Sequence, residues 1–158
     1  MAEETRKDVM QEYKGFNKEL EGRILEANND ESKVKWSKLL PDLMGAEVFM
    51  VGLFTDQKNE QGENLLNVLM IQKGGHMIVP FFTSPDRMSV LKDANNSSFD
   101  VIKVNTVRFF QSIMGKPCVL NPLSPYARAF TPFEMKILAA ENIDKAPPAV
   151  NKAKSAAE

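Results

Sequence analysis

Cys118 and His76 are the sole cysteine and the sole histidine of the 158-residue chain. Their surroundings decide how much chemistry the sequence can support. A His-based triad or a zinc site needs paired or clustered partners, and no second imidazole exists to help. His76 follows Lys73-Gly74-Gly75, so a turn or strand-surface role is expected. Cys118 lies between Lys116-Pro117 and Val119-Leu120. A reactive thiolate needs a base, a helix N-terminus or nearby cations. Lys116 is the one cation close in sequence, so a buried core thiol is expected. Gly74-Gly75 is not followed by Lys-Ser/Thr and does not open a helix, so it is no phosphate loop. The carboxylates are scattered, with no pair set for acid–base work. No catalytic residue, metal or cofactor is expected, and the chain reads as a non-enzyme.

The residues best suited to recognition lie in two Pro-containing stretches. Asn121-Pro-Leu-Ser-Pro-Tyr-Ala-Arg-Ala-Phe130 has two prolines that fix its backbone. It carries Tyr126 and Arg128, types favoured at interface anchors. Thr83-Ser84-Pro85-Asp86-Arg87 opens a helix, with Ser84 as N-cap and Pro85 at the first helical position. Free backbone N–H groups at such starts can hold an anion or an acidic segment. Arg87, Lys116 and Arg128 could add charge. The candidate binding set is therefore Thr83, Ser84, Arg87, Lys116, Asn121, Ser124, Tyr126 and Arg128. The nine methionines mostly fall at strand or helix-core spacing and read as packing. Asn95-Asn96-Ser97-Ser98 reads as a loop, and its glycosylation sequons carry no weight without a secretory signal.

These stretches need elements to hold them. Met10, Tyr13, Phe16, Leu20 and Ile24 recur every three or four residues in a charged segment, a weak helical stripe expected to dock on the domain. Trp36, Leu39, Leu40 and Leu43 share a helical face; Pro41 fits a first turn or ends that segment. Glu47–Phe54 and Asn64–Ile71 read as strands, with a polar loop from Thr55 to Glu63. Gly74-Gly75 makes a hairpin into Met77–Phe82, because both central residues of such a turn need positive φ. Pro80 cannot donate to a ladder, so it sits at an edge or faces away from its partner strand. The chain continues with a short helix from Ser84 and a strand over Phe99–Val104. Asn105 caps the next helix, which stops at Gly115. A buried strand at Cys118–Leu120 leads to the loop Asn121–Arg128. Thr131-Pro132-Phe133-Glu134 is a capping box with Pro at the first position, stapled by Phe130 on Met135. The pattern predicts one α+β domain. It has a mixed sheet of about five strands, a Gly-Gly hairpin and flanking helices. Residues 1–31 form a charged N-terminal helical segment, residues 32–142 the domain, and residues 143–158 a disordered tail.

Composition narrows the class. Hydrophobic residues are 43% and charged residues 26% of the chain, and the formal net charge is −1. A protein that works on phosphate backbones usually carries a basic excess, so nucleic acid is not the expected partner. The start MAEETRKDVM has no apolar core of a leader. No apolar run approaches the roughly 18 residues of a membrane helix. A cytoplasmic protein with a protein partner is expected. The edge anticipated near Pro80 would also let a second copy pair.

Two motifs resemble one family. Val79-Pro-Phe-Phe-Thr-Ser-Pro-Asp-Arg87 is similar to a segment of the SseB protein N-terminal domain. Gly115-Lys-Pro-Cys-Val-Leu-Asn-Pro-Leu-Ser-Pro125, followed by Phe130-Thr-Pro-Phe-Glu134, resembles that family's second signature. The likeness runs roughly from Val34 to Ala140. It implies a small α+β domain and supplies no agreed catalytic residues. The family is named for a serine-sensitivity phenotype in bacteria. That name suggests one alternative, an accessory of serine or sulfur metabolism using Cys118; the charged N-terminal helix and the free tail allow another, an immunity- or secretion-associated partner protein. Members often carry a second domain, which this chain is expected to do without. Leu123 stands where the family often has glycine, which puts the turn of that loop in question.

Overall fold

The structure, a computed structural model, describes residues 12–147 apart from 32, 59, 61, 63, 91–98 and 114. Met10, the Asn95–Ser98 stretch and residues 148–158 of the expected tail lie outside the described residues.

Among the described residues four α-helices and seven strands follow one another. They are α1 (Lys18–Asn28), α2 (Val34–Met44), β1 (Glu47–Lys58), β2 (Asn64–Val68), β3 (Ile71–Lys73), β4 (His76–Phe81), β5 (Asp100–Asn105), α3 (Thr106–Ser112), β6 (Cys118–Leu120), β7 (Arg128–Phe130) and α4 (Pro132–Glu141). Short 3-10 turns cover Pro85–Val90 and Ile143–Lys145. The chain is α+β in one body, with two sheets where one was expected. The first is antiparallel in the order β2-β1-β5; the second runs β3-β4-β6-β7 and is mixed, with β4 and β6 parallel. The sheets join where Phe49 and Phe82 exchange backbone hydrogen bonds of 2.7 and 2.8 Å.

β1 is apolar on both faces, and each face meets its own cluster. Val48 and Met50 enter the main core, while Phe49 and Val51 enter a smaller one with Phe82 and Met88. That is the period-2 alternation of a strand buried on both sides. The main core centres on Phe81, whose ring centroid lies 4.7 Å from that of Phe109 and 6.0 Å from those of Phe110 and Phe130.

Local chemistry sets several boundaries. Gly74 and Gly75 have φ of 58° and 82° and close the β3–β4 hairpin, as that turn requires. Asn105 caps α3 by accepting from the Arg108 N–H at 3.2 Å. Thr131 caps α4 by accepting from the Glu134 N–H at 3.1 Å.

Pro80 takes the second of its two expected placements: it registers with Val119 of β6, beyond the point where the register with β3 stops at Ile78. The Val79 N–H and the Phe81 carbonyl bond toward β6, so the alternation of the strand turns the Pro80 nitrogen away from that partner. Other expectations are corrected. β1 runs on through Thr55–Lys58 because Lys58 registers with Asn64 of β2. Arg128–Phe130, read partly as loop, pairs with β6 as β7. Pro41 sits inside α2, which continues to Met44. The Ser84 start gives a 3-10 turn, with Ser84 Oγ accepting from the Asp86 N–H at 3.1 Å. Residues 143–147 stay with the body: the Pro147 carbonyl accepts two hydrogen bonds from Arg108.

Candidate functional site

The two motif stretches come together beneath α1. Thr83, Ser84 and Asn121 are fully buried, so their side chains form no open surface. Asn121 is the pivot. Its Oδ1 accepts from the Thr83 N–H at 3.0 Å, and its Nδ2 donates to Thr83 Oγ1 at 3.1 Å and to the Tyr126 carbonyl at 3.4 Å. Its φ is 46°, the left-handed region that Asn tolerates better than most residues. Ser124 Oγ donates to the Asn121 carbonyl at 2.7 Å and accepts from the Tyr126 N–H at 3.1 Å. Leu123 has φ of 60° and is 74% exposed. The turn that glycine favours is therefore kept, at a cost of about 1 kcal/mol in backbone strain.

α1 meets this frame with polar groups on the face that also carries its apolar residues. Glu21 is 5% exposed. Its carboxylate accepts from the Thr83 hydroxyl and from Arg87 through Nε at 3.1 Å and Nη2 at 3.2 Å. The Arg87 guanidinium stacks 4.4 Å above the Tyr126 ring centre. Burial works against the Arg87 charge, but the hydrogen bonds and charge of Glu21 outweigh it and hold its pKa above the ordinary value. Asn17 Nδ2 donates to the Thr83 carbonyl at 2.9 Å. Asn28 Nδ2 reaches the carbonyls of Pro125 and Ala127 at 2.9 and 3.0 Å, while its Oδ1 accepts from Trp36 at 3.0 Å.

Arg128 belongs to the neighbouring wall. It lies 4.7 Å from the Trp36 ring centre and 4.4 Å from that of Phe130, and donates to Glu134 at 2.7 Å. Glu134 thus gives its carboxylate to Arg128 instead of closing the capping box; Arg128 Nη1 is buried without a hydrogen bond. Lys116 is exposed and shares no bond with this cluster. Seven of the eight expected residues therefore lie in or beside one frame, in which Thr83, Ser84 and Asn121 are buried and Arg87, Ser124, Tyr126 and Arg128 half-buried. Sequence reasoning missed Asn17, Glu21 and Asn28. The signal available was their spacing: they share a helical face with Ile24.

Cys118 is fully buried, and its Sγ lies 3.6 Å from Met135 Sδ. Burial pushes its pKa well up, the nearby Glu134 charge adds to this, and Arg128 opposes it. The thiol should stay unlabelled by maleimide in the native chain at pH 8 and react in full in denaturant; fast native labelling would contradict this burial. Among the described residues no three His, Cys, Asp or Glu side chains gather as a metal ion would need. Nor is any helix among them long and apolar enough to cross a membrane.

An apolar groove lies elsewhere. A groove of about 450 Å³ runs between α3 and α4. Phe110, Met135 and Ala139 form its buried floor. Phe133 at 74% exposure and Ile143 at 49% stand on its rim. Among the described residues Lys136 is the one charged side chain in the lining.

No curated protein and no solved structure matches the chain. The sequence profile of the SseB protein N-terminal domain matches residues 20–136, a span that takes in most of α1 together with both motif stretches. The chain belongs to the SseB N-terminal domain family.

Proposed function

We propose that this chain is a non-enzymatic interaction module that docks a protein partner on the groove between α3 and α4. The observation that carries the reading is a contrast of environments. The groups suited to chemistry are bonded inward, while Phe133 and Ile143 stand in water around an apolar floor. Apolar clefts with aromatic rims are characteristic docking surfaces. The alternative of a sulfur carrier at Cys118 finds no support in a thiol that is buried and held protonated.

A photoreactive benzoylphenylalanine in place of Phe133 tests the reading in cells. The same group at Leu123, equally exposed at 74%, is the control. Discrete adducts from position 133 and none from 123 are expected. Absence of any adduct at 133 sinks the proposal.

A further inference from the structure

We infer that α1 is a displaceable internal ligand, and that the notch beneath it receives a carboxylate-bearing helix of a protein partner. The notch shares no residue with the groove, so this reading and that of the groove stand or fall separately.

The body builds the notch by itself. Asn121 fixes Thr83 by accepting from its N–H at 3.0 Å and donating to its Oγ1 at 3.1 Å. Tyr126 supports Arg87, with the guanidinium 4.4 Å over its ring centre. Arg87 Nε, Arg87 Nη2 and the Thr83 hydroxyl converge on one position. A forked guanidinium beside a hydroxyl is a carboxylate site, and supported side chains keep it ready. Glu21 shows what fits there.

α1 is the helix least bound to its place. Among the described residues it buries the fewest apolar side chains of the four helices, Ile24 and Ala27. Beyond these and the half-buried Leu20 and Leu25, its hold is polar, through Asn17, Glu21 and Asn28. Water replaces polar contacts on opening but not apolar ones. The pairs to α2, Arg23–Asp42 and Lys35–Glu26, are exposed and contribute little. Gly22 lies inside α1 and no side chain caps its start, so alone it is a weak helix. Elements of this kind open at free energies below that of the whole fold.

α1 also states the partner's chemistry. Asn17, Glu21, Ile24 and Asn28 follow at spacings of four, three and four, one helical face. A partner helix with a carboxylate one turn ahead of an aliphatic side chain meets the same donors and the same core seat. A basic helix leaves Arg87 unpaired and is rejected.

Fluorescence anisotropy of the full chain with a labelled, end-capped peptide of residues 16–30 tests this. Glu21→Ala in the chain should tighten peptide binding by about 100-fold, the scale of removing one half of a partly buried ion pair, because the notch is then free more often. The same substitution in the peptide should weaken its binding to that chain by about 100-fold. Adding Arg87→Met to the chain should abolish the gain. Circular dichroism checks that each variant folds, and Glu21→Gln, which keeps the side-chain shape, replaces Glu21→Ala if that variant does not. In the unmodified chain, amide exchange should show protection around Ile24 at least about tenfold lower than in β6. Peptide binding indifferent to Glu21, no binding to any variant, or protection of α1 equal to that of β6 overturns the inference. A failed photo-adduct at position 133 bears on the groove alone.

Discussion

Glu21→Ala is expected to lower the unfolding free energy by about 3 kcal/mol, seen as a shift in the urea midpoint at constant slope. The carboxylate accepts from the Thr83 hydroxyl and from two nitrogens of Arg87. Removing it leaves a guanidinium that is only 30% exposed, stacked on the Tyr126 ring, without its hydrogen-bonded counter-charge. Breaking one half of such a pair costs more than the pair itself contributes, because the abandoned charge keeps its desolvation penalty. Glu19→Ala, on the exposed side of the same helix, should cost less than about 0.5 kcal/mol. The double variant Glu21→Ala/Arg87→Met should recover part of the loss, since no buried charge is then abandoned. Equal midpoints for Glu21→Ala and Glu19→Ala would show that α1 is not held through this carboxylate.

Asn121→Ala should cost a similar amount, about 3 kcal/mol, for two separable reasons. First, the buried Thr83 N–H loses its acceptor and the Tyr126 carbonyl loses a donor. An orphaned buried group costs about 1–3 kcal/mol. Second, φ of 46° must be held by a residue with a β-carbon and no side-chain amide, at about 1 kcal/mol. Asn121→Gly separates the two. It removes the backbone cost but not the lost bonds, so it should be about 1 kcal/mol more stable than Asn121→Ala. Thermal unfolding of the two variants side by side is the measurement. If they unfold together, the backbone explanation fails.

What could be read ahead of the structure was what neighbouring residues settle among themselves. The Gly74-Gly75 hairpin and the caps Asn105 and Thr131 each depend on groups a few residues apart, and each formed. The strand at Arg128–Phe130 was harder. Three residues carry little pattern, and their pairing with β6 is what makes them a strand. The polar end of β1 is extended for the same reason. The candidate site shows the limit most clearly. Rigid prolines and capping residues mark a stretch as well ordered, and Asn121, Thr83 and Tyr126 are. They do not say which side is covered. That depended on a helix about 100 residues upstream in sequence, whose weak apolar stripe concealed the polar contacts of Asn17, Glu21 and Asn28. The interhelical groove is not legible in the sequence because Thr131-Pro132-Phe133-Glu134 reads as a capped helix start, which does not say on which side the Phe133 ring stands.

The seating of α1 also has a consequence in time. Asn28 bonds to the carbonyls of Pro125 and Ala127, 97 and 99 positions further along the chain. At about 5–20 residues per second of synthesis, the ribosome makes this helix roughly 5–20 s before its final contacts exist. For roughly the first 3–13 s after Glu21 is made, it has neither Thr83 nor Arg87 to meet, since they follow it by 62 and 66 residues. The element made early is closed late, so a newly made chain carries an unsatisfied amphipathic helix until the second motif has emerged.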